Sequence, residues 1–354
     1  MAYNETPDDP CNMDYVAYLD FNATDTASTA IATGRATTQH MYMVPSLVED
    51  FLAGIQCPRP IGGRPFVDVG GHQLQAPVCM EPSTSIAWSA EKVSMKSVLS
   101  SDDQSLGREW AERALGEHAS VPAFAAFTIA LMSNNAPPVL VQDALTAAMD
   151  EVRHAKTSFE IASLLLGTTV EPGPIPPSVH RFEQNLIGLA VAVAQEGCID
   201  ETLSALVAAF EVDTRLDRND RIDEATKSLL KDKMRTIALE ESSHSALAWR
   251  TVLWACKMDS DACSIVNHRV FGLENLEQAF EERFGRYGLD VDAQSAWEQV
   301  HRTLIPFVIG SDKRPDAMVN CTEAVGRQLR EGGSLLEQMA VQIIHKTSCA
   351  SLHP

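Results

Sequence analysis

The sequence predicts an all-α protein: a four-helix bundle with a long crossover between helices 2 and 3, an irregular N-terminal arm and extra C-terminal helices. Three observations carry this prediction. Apolar residues recur every three or four positions through the middle of the chain, the period of a helix with one buried face. A segment with four prolines, Thr168–Ser178, divides that region into two helical pairs. Each half also contains Glu-x-x-His on a segment rich in Ala and Leu, at Glu151–His154 and Glu241–His244. The expected division is 1–102 for the arm, 103–258 for the bundle and 259–354 for a C-terminal helical extension.

Residues 1–102 are rich in Ser, Thr, Gly and Pro and lack a sustained helical period. Phe66-Val67-Asp68-Val69, Gly70-Gly71 and His72-Gln73-Leu74-Gln75 alternate around a tight-turn dipeptide, the pattern of a short β-hairpin. Ser46 to Gly54 is expected to make a helical turn or two. From Asp103, Leu106, Trp110, Ala114, Glu117, Val121, Phe124, Thr128 and Leu131 fall in helical step, with Ser101 to Asp103 as the N-cap cluster. Pro122 inside this helix removes one backbone bond. Asn134-Asn135-Ala136-Pro137-Pro138 ends it and starts a second helix with a proline in its first turn. That helix carries Leu140, Ala144, Ala147, Glu151, His154, Ser158, Ile161 and Leu165 on one stripe and stops at Gly167.

The Pro-rich segment cannot be helical, and its extended reach of roughly 36 Å matches the length of a helix of ~25 residues. The third helix places Phe182, Leu186, Leu189, Val193, Glu196, Asp200, Leu203, Val207 and Phe210 in step. After a charged turn at Asp217 to Asp220, the fourth aligns Met234, Ile237, Glu241, His244, Ala248, Thr251 and Ala255. Beyond Asp259, Leu273–Phe284, Ala293–Val308 and Thr322–His345 have amphipathic helical spacing without a chemical motif.

Charge and cysteine content narrow the function. The 354 residues carry 48 acidic against 28 basic side chains, a net charge of −20. Such a chain lacks the clustered cations that nucleic acid or an anionic membrane surface requires. Its eight cysteines include no Cys-x-x-Cys pair, so neither a disulfide framework nor a thiolate zinc site is expected. Met1 to Tyr18 is acidic with no apolar run, and no apolar span of about 18 residues appears. The expectation is a cytoplasmic protein with neither signal peptide nor transmembrane helix.

Residues i and i+3 lie about 60° apart around an α-helix, so each Glu-x-x-His presents carboxylate and imidazole from one face. One such pair arises readily by chance on a surface helix. Two pairs on apolar stripes, each preceded by a helix with an inward glutamate, do not. The candidate metal ligands are Glu117, Glu151 and His154 from the first half and Glu196, Glu241 and His244 from the second. Four carboxylates and two imidazoles suit two iron ions, with manganese or a mixed Fe/Mn pair as alternatives. Unneutralised, these carboxylates would be costly among Leu, Ala, Phe, Val and Ile. In the third helix, Glu196 lies on the bulky apolar stripe and matches Glu117 when the halves are aligned. Asp200, one turn on, is an extra ligand or a polar wall, and Glu201 lies about 140° from Glu196, outside the ligand set. His118 points about 100° away from Glu117 and reads as packing or surface. Cys198 reads as an inert buried thiol.

Glu117-His118-Ala119-Ser120, Asp150-Glu151-Val152-Arg153-His154, Glu196 through Leu203 and Glu241 through Arg250 resemble the ferritin-like non-haem di-iron carboxylate superfamily. The resemblance is closest to uncharacterised bacterial ferritin-like-domain proteins and covers about residues 105–257, with a weaker similarity at Cys57–Val78. It implies bridging roles for Glu151 and Glu241, terminal roles for Glu117 and Glu196, and one metal on each of His154 and His244. It also implies that Asp150 and Glu240, just before each Glu-x-x-His, hydrogen-bond the histidine of the other half.

Within that superfamily, all five tyrosines lie outside the four helices, which argues against a tyrosyl-radical subunit. Missing Cys-x-x-Cys pairs argue against a rubredoxin-type iron centre. The long arms fit poorly on a storage cage. Ser120, Ala144, Ala147, Ser158 and Ala248 leave room beside the ligands for O2 and a small organic substrate. The expected function is therefore a di-iron oxygenase or oxidase using an external electron donor, in a chain that can form a homodimer. Ferroxidase activity or iron handling without an organic substrate is the alternative.

Overall fold

The computed structural model describes residues 64–68, 73–80, 88, 101–175, 185–212, 224–272, 291–310 and 334–349. Their architecture is mostly helical with a small two-stranded sheet. Helix α1 spans Ser101–Ser133 with Pro122 inside it, and α2 spans Pro138–Leu166. The turn between them closes as a Schellman cap. Asn135 takes φ 55°, and Ala136 N donates to Leu131 O at 3.0 Å while Asn135 N donates to Met132 O at 3.2 Å. Gly167 ends α2 at φ 67°, where a side chain would be strained. Gly107 lets α1 lie close against the end of α2, since a Cβ there would stand 2.6 Å from Leu166 Cγ.

Strand β1 (Val78–Met80) pairs antiparallel with β2 (Val170–Pro172), Cys79 opposite Glu171. The Pro-rich segment is non-helical where described, and β2 within it is held by β1 of the arm. Proline geometry keeps the segment extended, but only its meeting with β1 gives it a ladder. Ser163 Oγ accepts from Val170 N at 2.9 Å and ties the strand to α2. In the expected hairpin, Val67 bridges Gln73 and Leu74 N donates to Phe66 O at 2.7 Å. Its Gly-Gly turn lies outside the described residues, as do Ser46–Gly54, Phe182, Asp217–Asp220 and Leu273–Phe284.

The third helical segment is composite. Helix α3 (Leu186–Val193) is capped by Asn185, whose Oδ1 accepts from Gly188 N at 2.8 Å. It runs into a π-helix, π1 (Ala194–Glu201), and then α4 (Thr202–Phe210), all of whose residues are buried. Helix α5 (Glu224–Met258) packs against α2, π1 and α4. Gly197 permits the π1–α5 approach, because a Cβ there would lie 2.3 Å from Ala248 Cβ. Helix α6 (Ser260–Arg269) begins at Asp259, whose Oδ1 accepts from Asp261 N at 2.8 Å.

Helices α7 (Val291–Ile309) and α8 (Leu335–Cys349) cover α4 and α5. The first extends slightly beyond the expected Ala293–Val308. The second takes only the later part of Thr322–His345, whose residues 322–333 lie outside the described set. One core runs from Trp110 on α1 through Phe159, Leu206 and Trp249 to Met339 on α8.

Two observations bear on these expectations. Residues Gln104–Ser133 of α1 are long and apolar enough to cross a membrane by length and composition, although 61% of the most apolar window is buried. That helix packs along α2 and carries Glu117, so core packing accounts for its apolarity. Cys79 is disulfide-bonded, in a chain whose cysteine spacing predicts no disulfide framework. Pairing depends on the arm's path in space, which Cys spacing does not record. Cys198, Cys256 and Cys263 are free.

Candidate metal centre

Six acidic and imidazole side chains meet in the core: Glu117 from α1, Glu151 and His154 from α2, Glu201 from π1, and Glu241 and His244 from α5. They form two overlapping groups. Glu117, Glu151, His154 and Glu241 make one, and Glu151, Glu201, Glu241 and His244 the other. In each, one ligand atom per residue lies within 4.8 Å of all the others. Glu151 and Glu241 belong to both. None of the six is more than 3% exposed.

The halves are related by near symmetry. His154 Nδ1 lies 3.0 Å from Glu241 Oε1, and His244 Nδ1 lies 3.1 Å from Glu151 Oε1. Within each motif, His154 Nδ1 stands 3.7 Å from Glu151 and His244 Nδ1 3.6 Å from Glu241. These are approaches rather than formed hydrogen bonds. Both histidine Nδ1 atoms, Glu117 Oε2, and both carboxylate oxygens of Glu151, Glu201 and Glu241 have no hydrogen-bond partner. Buried polar atoms are normally paired, and nine orphans converging on one place call for a bound cation. The donor set is hard oxygen plus imidazole, which suits a divalent metal ion.

The outer faces of the histidines are held crosswise. His154 Nε2 bonds Glu240 at 2.8 Å, and His244 Nε2 bonds Asp150 at 3.1 Å. An ionised carboxylate only accepts, so Nε2–H donates outward and Nδ1 faces the cluster. Arg153 joins the two clamps, pairing with Asp150 and, at 2.7 Å, with Glu240. On the far side, Arg113 Nε lies 3.4 Å from Glu117 Oε1 and its Nη1 2.7 Å from Glu211.

Protonation follows from burial and charge density. Burial first, then the charges of Glu151 and Glu241, push the Glu117 carboxyl well above its ordinary range. Burial, then Glu241 and Glu151, do the same to Glu201. Burial would also raise Glu241, but its two imidazole neighbours outweigh it and hold that carboxyl well below. For His154 and His244 burial opposes the charged form, yet the surrounding carboxylates raise both well above the usual imidazole range. In the absence of metal, protons therefore take the place of cations.

The third helical segment departs from the expectation. Glu201, assigned outside the ligand set, stands in the cluster. Glu196 is half-buried and lies outside both groups, lining a cleft between α1 and α3. Asp200 is likewise half-buried and outside them. The cause is π1. An i→i+5 ladder closes each hydrogen-bonded loop with one more residue than the i→i+4 ladder of an α-helix. After one such turn, Glu201 takes the direction that uniform α-helical counting gives Asp200. The local hint was Gly197, a poor helix former in the middle of an apolar helix.

His118 stacks edge-on against Trp88 at 4.8 Å, and burial lowers its pKa to about 4. Cys198 is fully buried, which raises its thiol pKa well above normal. Of the small residues expected beside the site, Ser120, Ala144, Ala147, Ser158 and Ala248 are all buried. No protein-family model, curated protein or solved structure matches this chain. What it can be compared on is therefore its own buried carboxylate–imidazole cluster, compatible with the ferritin-like resemblance and able to hold metal.

Proposed function

We propose that this chain is a ferritin-like di-iron carboxylate protein that oxidises a small organic molecule. In this reading α1, α2, the α3–π1–α4 segment and α5 are the four bundle helices, and β2 lies in their crossover. The observation that supports it most is the sharing of Glu151 and Glu241 between two four-residue groups. A carboxylate has two oxygens, so each can bridge two metals. Glu117 with His154 would then complete one position, and Glu201 with His244 the other. Two divalent ions would neutralise the four glutamates. Bound iron would supply O2 activation using electrons from an external donor.

The chain's own residues supply the setting. Asp150 and Glu240 keep each imidazole proton on Nε2 and turn Nδ1 inward. Arg153 fixes the spacing of those two carboxylates and so couples the two histidines. Phe124, edge-on to the His244 ring at 5.1 Å, contributes an apolar wall that excludes water.

The test is metal analysis of purified protein, followed by anaerobic Fe(II) loading and exposure to O2. About two irons per chain and O2 uptake support the reading, with both lost in Glu151→Ala and His244→Ala. Protein without redox metal, or variants with unchanged metal content, would overturn it. Many irons per chain in a large particle would instead establish iron handling.

A further inference from the structure

A cleft of about 250 Å³ opens between α1 and α3. Its walls are mostly apolar, including Ala123, Ala126 and Phe127 on α1 and Ile187 and Val191 on α3. Arg64 of the arm lines it and is only 4% exposed. The guanidinium stands 4.1 Å from the Phe127 ring centre and 5.2 Å from that of Phe124. Its Nε has no hydrogen-bond partner. Arginine keeps its charge under all ordinary conditions, so this is a buried, stacked cation with a donor left open. Glu196 and Arg269 also line the cleft, one charge of each sign.

The cleft adjoins the candidate metal centre. Phe124 stands between them, its ring centre 5.2 Å from the Arg64 guanidinium and 5.1 Å from the His244 ring. Gly197 of π1 stands on the same boundary, where a Cβ would come within 3.0 Å of Arg64 Nη2. Ser120, one turn from Glu117, holds the arm in place, its Oγ donating to Arg64 O at 3.0 Å.

We infer that Arg64 binds the carboxylate of a small apolar organic acid in this cleft, and that such acids are the substrate class of the neighbouring site. The second clause rests on the oxidase reading above; the binding site does not. A planar guanidinium offers paired N–H donors to a carboxylate, and the alanine, valine and phenylalanine walls favour an organic body over an inorganic anion. The volume, below that of most ligand pockets, limits the acid to a few carbons or one ring.

Titration calorimetry on the full-length protein with its metal tests this, using hexanoate and benzoate against hexanol and inorganic phosphate. Chelator-treated protein is titrated in parallel, because a carboxylate can also coordinate metal. The acids are expected to bind both forms, and hexanol and phosphate about tenfold more weakly or worse. Arg64→Gln and Ala126→Leu are each expected to lower acid affinity about tenfold or more, with metal content unchanged. Ala126→Leu retains the guanidinium and fills the cleft, so it decides the matter if Arg64→Gln does not fold. Equal binding by wild type and Ala126→Leu, no acid binding at millimolar concentration, or phosphate binding as tightly as hexanoate overturns the inference. Acid binding that persists in a protein unable to hold metal sustains the site while sinking the oxidase reading.

Discussion

Asp150 and Glu240, the residues just before each Glu-x-x-His, hold the outer Nε2 of the other half's histidine, and Arg153 links them. Their geometry predicts a role in metal affinity without direct contact with metal. Asp150→Asn and Glu240→Gln are expected to weaken metal binding by about 10–100-fold, measured by competition with a chromophoric chelator, with helix content unchanged. Third-segment acids give a sharper contrast. Glu201→Gln removes a group from the cluster and is expected to lower metal stoichiometry or affinity, while Glu196→Gln, facing the Arg64 cleft, leaves metal content intact. The opposite result would return the ligand role to Glu196. Glu117, Glu151, His154, Glu241 and His244 were legible from spacing alone because α1, α2 and α5 are continuous α-helices around them. Glu201 was not, because its direction depends on a hydrogen-bond ladder that residue identity does not specify.

At the scale of elements, π1 sets both the cluster and its neighbour. It carries Glu201 inward, turns Glu196 to the cleft, and brings Gly197 against Ala248. Gly197→Ala would favour regular helix locally yet force a Cβ to 2.3 Å from Ala248 Cβ. Net destabilisation of about 1–3 kcal/mol is expected from this overpacking, read as a lower denaturation midpoint. It should be accompanied by reduced metal affinity, because relief of the clash moves π1 away from α5. Stabilisation by the substitution would show that the close approach is not required. Helix ends were readable where turn chemistry is local, as at Asn135 and Gly167. The pairing of β1 with β2 was not, since nearly a hundred residues separate the partners and three-residue strands carry little periodic signal.

For the whole molecule, the cluster links stability to pH with a definite sign. Glu117 and Glu201 have folded-state pKa values raised above 4.5, and His154 and His244 above 6.5. Around neutral pH the metal-free native state therefore binds more protons than the unfolded chain. Chelator-treated protein is expected to lose stability as pH rises from about 5 to 8. Glu241, held well below 4.5, acts in the opposite sense only under more acid conditions. Divalent metal replaces the protons, so metal-loaded protein should gain stability over the same range. Thermal denaturation at both pH values, with and without chelator, measures this. A chelated protein more stable at pH 8 than at pH 5 contradicts the assignment.

By itself, the sequence determined a mostly helical chain with two Glu-x-x-His pairs and a non-helical Pro-rich break. Those features follow from periodicity, side-chain spacing and proline geometry, all local properties. Tertiary structure alone decided that Glu201 enters the cluster, that the arm pairs with the Pro-rich segment, and that Arg64 lies buried between α1 and α3. Each depends on contacts between segments distant in the chain, or on one extra residue in a helical turn, which no local spacing rule encodes.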